Sequence, residues 1–204
     1  MSDDREAILS RVRGALAPLR ERAPLPAYDT EIAVMRSLIT GRDAAELFAE
    51  RLKRVGGTAF FDGAALVAHL RANKWLRGYV DPALWPLVQG WFAGGDFTIE
   101  HDLDRKRVDD YAFGLTRAAG AIAESGTIIL NDATTARRLG ALAPWVHVAV
   151  VERATIFGDV QQAVAGLGPD RNVIWVTGPS KTADVEGILI EGVHGPGVQI
   201  ALVV

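Results

Sequence analysis

The sequence predicts an α/β protein: an open, mainly parallel sheet with helices on both faces, preceded by an N-terminal helix. Three observations lead there. From about residue 43 to the end, short apolar runs alternate with segments of helical periodicity, the pattern of a sheet whose strands are joined by helices. The runs are apolar at nearly every position, so the strands have no wet face and suit parallel pairing with both sides buried. The chain has 204 residues, 49% of them hydrophobic, enough to bury one substantial core.

Along residues 3–22, Ala7, Ile8, Val12, Ala15, Leu16 and Leu19 recur at helical spacing between charged residues, which predicts a surface helix with one apolar stripe. Pro24 and Pro26 end it, and residues 23–40 read as a connection. Residues 1–40 are therefore expected to be a helix and arm, packed on their own domain or on a partner chain, and residues 41–204 the α/β domain. That domain opens where Asp43 and Glu46 have capping-box spacing ahead of Leu47, Phe48, Leu52 and Val55, with Gly56 and Gly57 as the stop. Strands are expected at 58–61, 75–80, 97–101, 127–131, 146–151, 173–177 and 198–204, with helices at 63–72, 82–91, 134–142 and 156–167. The charge run at residues 100–110 reads as an exposed connection. Its alternative, a hard-cation site of Glu100, Asp102 and Asp104, lacks the glycine turn and distal glutamate of a calcium loop.

Composition narrows the chemistry. There is no cysteine, so this sequence supplies no disulfide, thiolate nucleophile, zinc ribbon or cysteine-held iron–sulfur cluster. Lys and Arg number 22 against 25 Asp and Glu, a formal net charge of -3, which gives no bulk electrostatic case for nucleic acid or anionic membrane. The acidic, polar start Met1-Ser2-Asp3-Asp4-Arg5-Glu6 is unlike a secretory signal, and no apolar run approaches the roughly 18 to 20 residues of a bilayer span. A cytoplasmic location is expected.

Familiar motifs fail. Gly192, Gly195 and Gly197 run in the reverse of the dinucleotide fingerprint, and Gly178-Pro179-Ser180-Lys181-Thr182 lacks the loop length of a phosphate-binding P-loop. No zinc-protease or nucleophile-elbow pattern occurs, and no metal site is assigned.

Two stretches concentrate small and polar residues at strand ends, where open α/β sheets take ligands. In the first, residues 114–127, Thr116 lies upstream and Glu124 precedes the Ser125-Gly126-Thr127 turn. Glu124 there is either a nucleophile or general base, with the turn's N–H groups facing an anion, or a helix cap or arginine partner. In the second, residues 177–197, a strand leads through Gly178 and Pro179 into a helix capped by Ser180 or Thr182, with Asp184 and Glu186 in its first turn. Lys181 beside that helix N-terminus would make a phosphate or carboxylate pocket, and ordinary capping explains the same residues. His194, next to Gly195 in a glycine-rich turn, is either an acid, base or hydrogen-bond donor or structural. Arg137 and Arg138 could bind a carboxylate bidentately or lie on an exposed helix face, and His147, inside an apolar run, reads as a satisfied core residue.

Residues 121–127 (Ala-Ile-Ala-Glu-Ser-Gly-Thr), Arg137-Arg138-Leu139 with Pro144 and His147, the segment 177–186 and Gly192-Val193-His194-Gly195-Pro196-Gly197 together resemble the LUD-domain family, in its lactate utilization protein C group. The resemblance covers residue 114 to the end in detail and the first half only in layout. It implies a fold similar to the NagB/RpiA/CoA-transferase-like group. It also implies a part in oxidising L-lactate to pyruvate alongside iron–sulfur lactate utilization proteins, whose clusters sit in those partners and not in this chain.

The leading expectation is thus a non-redox subunit of a lactate-oxidising complex that either binds a small hydroxy acid, a carboxylate, between residues 124–127 and 180–194 or organises the cluster-bearing partners. The competing one is a free-standing isomerase or transferase using Glu124 and His194 on a phosphorylated or thioester substrate. A structural adaptor and a homo-oligomer are further possibilities.

Overall fold

A computed structural model describes residues 2–18, 40–135, 138–168, 172–183 and 187–204. The chain divides into two units, Met1–Leu38 and Ile39–Val204. In the first, helix α1 spans Ser2–Leu16 and carries an Arg13–Glu6 ion pair at 2.6 Å. It stops short of the expected residue 22. Pro18 disfavours helical geometry in the residue before it, so the stop comes from this proline rather than from Pro24 and Pro26.

In the second unit the helices are α2 (Ala44–Arg54), α3 (Gly63–Ala72), α4 (Trp85–Val88), α5 (Arg138–Leu142) and α6 (Val160–Gly166). The strands in chain order are β1 (Thr58–Phe60), β2 (Arg77–Val80), β3 (Thr98–Glu100), β4 (Phe113–Arg117), β5 (Gly120–Ile122), β6 (Thr127–Asn131), β7 (Val146–Val151), β8 (Ile156–Phe157), β9 (Val173–Val176), β10 (Lys181–Ala183), β11 (Leu189–Glu191) and β12 (Val198–Val203). The central sheet runs β1-β12-β7-β4-β2-β3, and every pairing in it is parallel. A second sheet runs β8-β5-β6-β9, and β10 and β11 form a separate hairpin.

Alternation along the central strands feeds two cores. Val146, Val148 and Val150 of β7 with Ile200 and Leu202 of β12 pack against Leu66, Val67 and Leu70 of α3. The intervening Ala149, Val151, Ala201 and Val203 pack against Leu47, Phe48 and Leu52 of α2, with Ala141 of α5 and Ile128 and Leu130 of β6. Both faces are dry, as the apolar runs require. The capping reading at α2 is borne out: Asp43 accepts from Glu46 N at 2.9 Å, and Gly56 takes the positive φ of 91° that ends the helix.

The sequence reading missed β4, although it lies in the middle of the sheet. The run Phe-Gly-Leu-Thr-Arg is short and broken by glycine, yet the glycine is what admits α5. A Cβ on Gly114 would overlap the Gly140 carbonyl oxygen, and one on Gly140 would enter the Tyr79 ring. The charge run also gains structure. Glu100 accepts from Arg77 Nη2 at 2.5 Å and from the Tyr111 hydroxyl at 2.8 Å. Its hydrogen bond from Arg77, then that from Tyr111, hold the Glu100 carboxyl below its ordinary pKa. Asp104 caps a 3-10 turn over Arg105–Asp110. Among the described residues no group of three or more His, Asp or Glu could hold a metal ion, and no helix is long and apolar enough to cross a membrane.

The α5–β4 contact generates a prediction. Gly114→Ala forces backbone against backbone, where neither side can give, and should destabilise the domain by about 2–3 kcal/mol. Urea unfolding should show a lower midpoint with an unchanged slope.

Candidate functional site

The two stretches singled out in the sequence converge on the last turns of α2. The β5–β6 turn is closed by a bond from Gly126 N to the Ile122 carbonyl at 3.0 Å. Gly126 has φ 68°, and a Cβ there would strike the α2 backbone at Arg51 and Leu52. Gly178, with φ 84°, lies equally close to the Val55 carbonyl at the end of the same helix. Between them the β6–β9 ladder, in which Ile128 faces Val176, sets Thr127 beside Thr177. The Ser125 and Thr127 hydroxyls are 2.7 Å apart, as are those of Thr127 and Thr177. This chain of three hydroxyls is uncharged, and each oxygen can donate and accept.

Beyond Pro179 the structure corrects the expected helix. Lys181–Ala183 is a strand, paired antiparallel with Leu189–Glu191 so that Lys181 faces Glu191 and Thr182 faces Ile190. Polar residues that resemble capping signals stand instead in a hairpin, in which Thr182 and Ile190 are cross-strand partners. Among the described residues no helix starts there, and Lys181 Nζ is paired with Glu191 at 3.3 Å.

The glycine-rich turn folds back on this segment. Ser180 N donates to the Pro196 carbonyl at 2.8 Å, and Gly192 N to the Ser180 carbonyl at 2.9 Å. A cleft of about 240 Å³ results, with Thr177, Ser180, His194, Gly195 and Gln199 among its lining. Because residues 192–197 run directly into β12, this cleft lies at the amino ends of the central strands. Open α/β sheets usually take ligands at the carboxyl ends.

The remaining candidates are elsewhere. Glu124 Oε1 accepts from Val160 N, at the start of α6, at 3.1 Å. It therefore serves a distant backbone group, while His194 stands exposed on the cleft. Thr116 is fully buried. Arg137, Asp184 and Glu186 lie outside the described residues, and Arg138 pairs with Asp132 at 2.7 Å.

Thr116 belongs to a buried polar trio. Its hydroxyl lies 2.9 Å from His147 Nε2, and His147 Nδ1 lies 3.0 Å from Gln199 Oε1. The amide oxygen can only accept, so Nδ1 carries the proton and Nε2 accepts from the threonine. Gln199 Nε2 completes the set by donating to the Ile200 carbonyl at 3.2 Å. Burial pushes the His147 pKa down to about 4, against the opposing Gln199 hydrogen bond. The imidazole is a neutral core group, as the sequence suggested. Gln199 and Thr177 were not singled out as site residues. The available signal for Gln199 was one polar residue in an otherwise apolar strand.

Comparison with known proteins fixes the family. The LUD domain matches residues 67–204. The chain belongs to the LUD domain family. A lactate utilization protein C from Deinococcus radiodurans is 38% identical over 200 residues, covering 93% of this chain and 90% of the relative. Lactate utilization protein C from Bacillus subtilis is 30% identical over 123 residues, 54% of this chain and 51% of that protein. A crystal structure of a DUF162 family protein from D. radiodurans covers 79% of this chain and 96% of its own, with a TM-score of 0.55 and 24% identity, and shares the fold.

The LUD match begins inside α3, yet the sheet does not. β1 pairs with β12, and α2 closes the face on which Ala201 and Val203 are buried. The structural unit thus includes elements ahead of the matched residues.

The trio predicts a pH dependence. The folded His147 pKa, about 4, is below the unfolded value of about 6.5. Between those values the unfolded chain binds more protons. Its contribution is therefore complete above about pH 6.5, falls as pH drops toward 4, and reaches on the order of 3 kcal/mol in total. Urea titrations at stepped pH should show that loss in the wild type, and His147→Gln should remove most of it.

Proposed function

We propose that this chain acts in L-lactate utilization, as a non-redox subunit of a cytoplasmic iron–sulfur assembly that oxidises L-lactate to pyruvate. The alignment with the D. radiodurans lactate utilization protein C carries the reading, because it runs over 93% of this chain and 90% of the relative. The likeness therefore extends over both units and is not confined to a shared sheet.

Oxidising a 2-hydroxy acid to a 2-oxo acid removes two electrons and two protons, which an acceptor must take. With no cysteine in the sequence, thiolate-held clusters belong to partner chains. This subunit's share is then binding, positioning or assembly. The geometry favours that share over a free-standing acid–base enzyme, since Glu124 is bonded to Val160 N while His194 lines the cleft with Thr177 and Ser180.

Clean deletion of the gene should abolish growth on L-lactate while leaving growth on glucose intact. A tagged chain expressed from its own locus should co-purify with cysteine-rich, brown, iron-containing proteins. Normal growth of the deletion strain on L-lactate as sole carbon source would sink the proposal.

A further inference from the structure

The outermost strands of the central sheet, β1 and β3, differ in what lies along their open sides. Beside β3 the flanking charges are engaged, Arg71 with Asp96 at 3.1 Å and Arg77 with Glu100. Beside β1 the backbone is bare. Among the described residues, nothing outside the ladder to β12 bonds to the backbone of residues 58–61. Alternate N–H and C=O groups of β1 therefore point outward, ready to pair with another strand. A cleft of about 400 Å³ runs along this strand, lined by Ala49, Glu50 and Lys53 of α2 and by Gly57, Thr58 and Ala59.

That lining sets the level of the helix against the strand. The chain reverses at Gly56 and Gly57, so Lys53 stands level with Gly57. Four helical residues rise about 6 Å and two strand residues about 6.6 Å, which puts Ala49 level with Ala59. A two-fold axis through Ala59, normal to the sheet, pairs β1 antiparallel with β1 of a second copy. Ala59 then faces Ala59, and Phe61, which is 48% exposed, faces Gly57 of the other copy. The same axis turns α2 antiparallel to its copy about Ala49 and Glu50, and so brings Glu46 of each chain opposite Lys53 of the other.

The charges fit this arrangement. Glu46, Ala49, Glu50 and Lys53 are spaced to share one helix face. Glu50 is already held by Arg42 and Arg54, each at 2.6 Å. Glu46 and Lys53 are exposed, and among the described residues neither has an ion-pair partner. Antiparallel helices give each of them an opposite charge, whereas parallel ones would set Glu46 against Glu46 and Lys53 against Lys53. Ala49, Gly57 and Ala59 keep the region around the axis small enough for two backbones to approach.

We propose that two copies of this chain join side by side through β1, extending the six-stranded sheet into one continuous sheet across both. The interface is isologous, so each copy supplies both members of the reciprocal Glu46–Lys53 contacts. The antiparallel junction leaves the two amino-end clefts open and facing opposite ways.

Sedimentation equilibrium of the purified full chain tests this. The wild type should show twice the 21.9 kDa mass of one chain and dissociate on dilution. Glu46→Lys or Lys53→Glu makes both symmetry-related contacts repulsive and should raise the dissociation constant about tenfold. Combining the two substitutions should restore the dimer. Ala49→Arg brings two guanidinium groups together beside the axis and should weaken the dimer at least as far. Far-UV circular dichroism of every variant should match the wild type, because these side chains lie on the outer face of α2. A wild type that is monomeric at every concentration would overturn the proposal. So would a dimer left intact by Ala49→Arg and both charge reversals, which would place the contact on another surface. Failure of the double variant to recover what the single reversals lose would overturn it as well, since pairing of these two charges could not then explain the losses.

Discussion

Six parallel strands can be buried only if both faces of their sheet are covered, and in this protein the last strand is threaded into the middle of the stack. β12 lies between β1 and β7, with Ile200 and Leu202 facing one core and Ala201 and Val203 the other. A single strand therefore couples α2 and β6 on one side to α3 on the other. The placement also fixes where the neighbouring loops emerge. Residues 192–197 enter β12 from its amino end, so the glycine-rich turn must come out at the amino edge of the sheet, and its hydrogen bonds draw Ser180 with it.

Into this dry slab the chain sets three polar side chains. Thr116, His147 and Gln199 are each at most 1% exposed. Polar groups at that depth are tolerable only when their hydrogen bonds are made, since leaving one unmade costs about 1–3 kcal/mol. Here the donor and acceptor capacities interlock, with the imidazole held neutral between an amide oxygen and a hydroxyl. The trio joins β4, β7 and β12, three neighbouring strands, with Gln199 directly opposite His147 and Thr116 two residues beyond Gly114, the β4 partner of His147. A one-residue slip of β12 would bring an apolar side chain against His147 and send Gln199 to the opposite core. The polar bonds thus help to specify an alignment that a run of valine, isoleucine and leucine would leave open.

The same physics separates what could be read in the sequence from what could not. β7 and β12 are legible because burial on both faces requires apolar residues at nearly every position, and each strand has only one polar residue, His147 and Gln199. The α2 cap is legible because Asp43 acts through a bond to a residue three positions on. β4 is not, because its decisive feature is an empty space: Gly114 is required by the Gly140 carbonyl pressing on it, a long-range contact with no local signal. The β10 strand misleads for a related reason. Ser, Thr and Lys after a Gly-Pro pair satisfy local rules for a helix start, and only pairing with residues 189–191 decides otherwise. In the candidate site, Ser125, Thr127 and Thr177 come together beside α2, whose contacts with Gly126 and Gly178 are likewise tertiary. Glu124 adjoins that turn in sequence but bonds to a group 36 residues away.

The two edges of the sheet have acquired different chemistry. At the amino edge the described groups are hydroxyls, an amide, an exposed imidazole and a lysine already paired with Glu191. Such a surface can hydrogen-bond, but with its ammonium engaged it offers an anion little Coulombic attraction. At the carboxyl edge, Asp81, Arg117 and Glu152 place both signs of charge on successive strands, with Asp81 withdrawn from water. Low-dielectric surroundings strengthen interactions between charges and a small polar ligand. Arg117 is engaged by Glu152 as Lys181 is by Glu191, so at both ends of the strands the cation is already held in an ion pair. The sheet's polarity keeps these two surfaces apart, because strand ends of opposite sense cannot share one pocket.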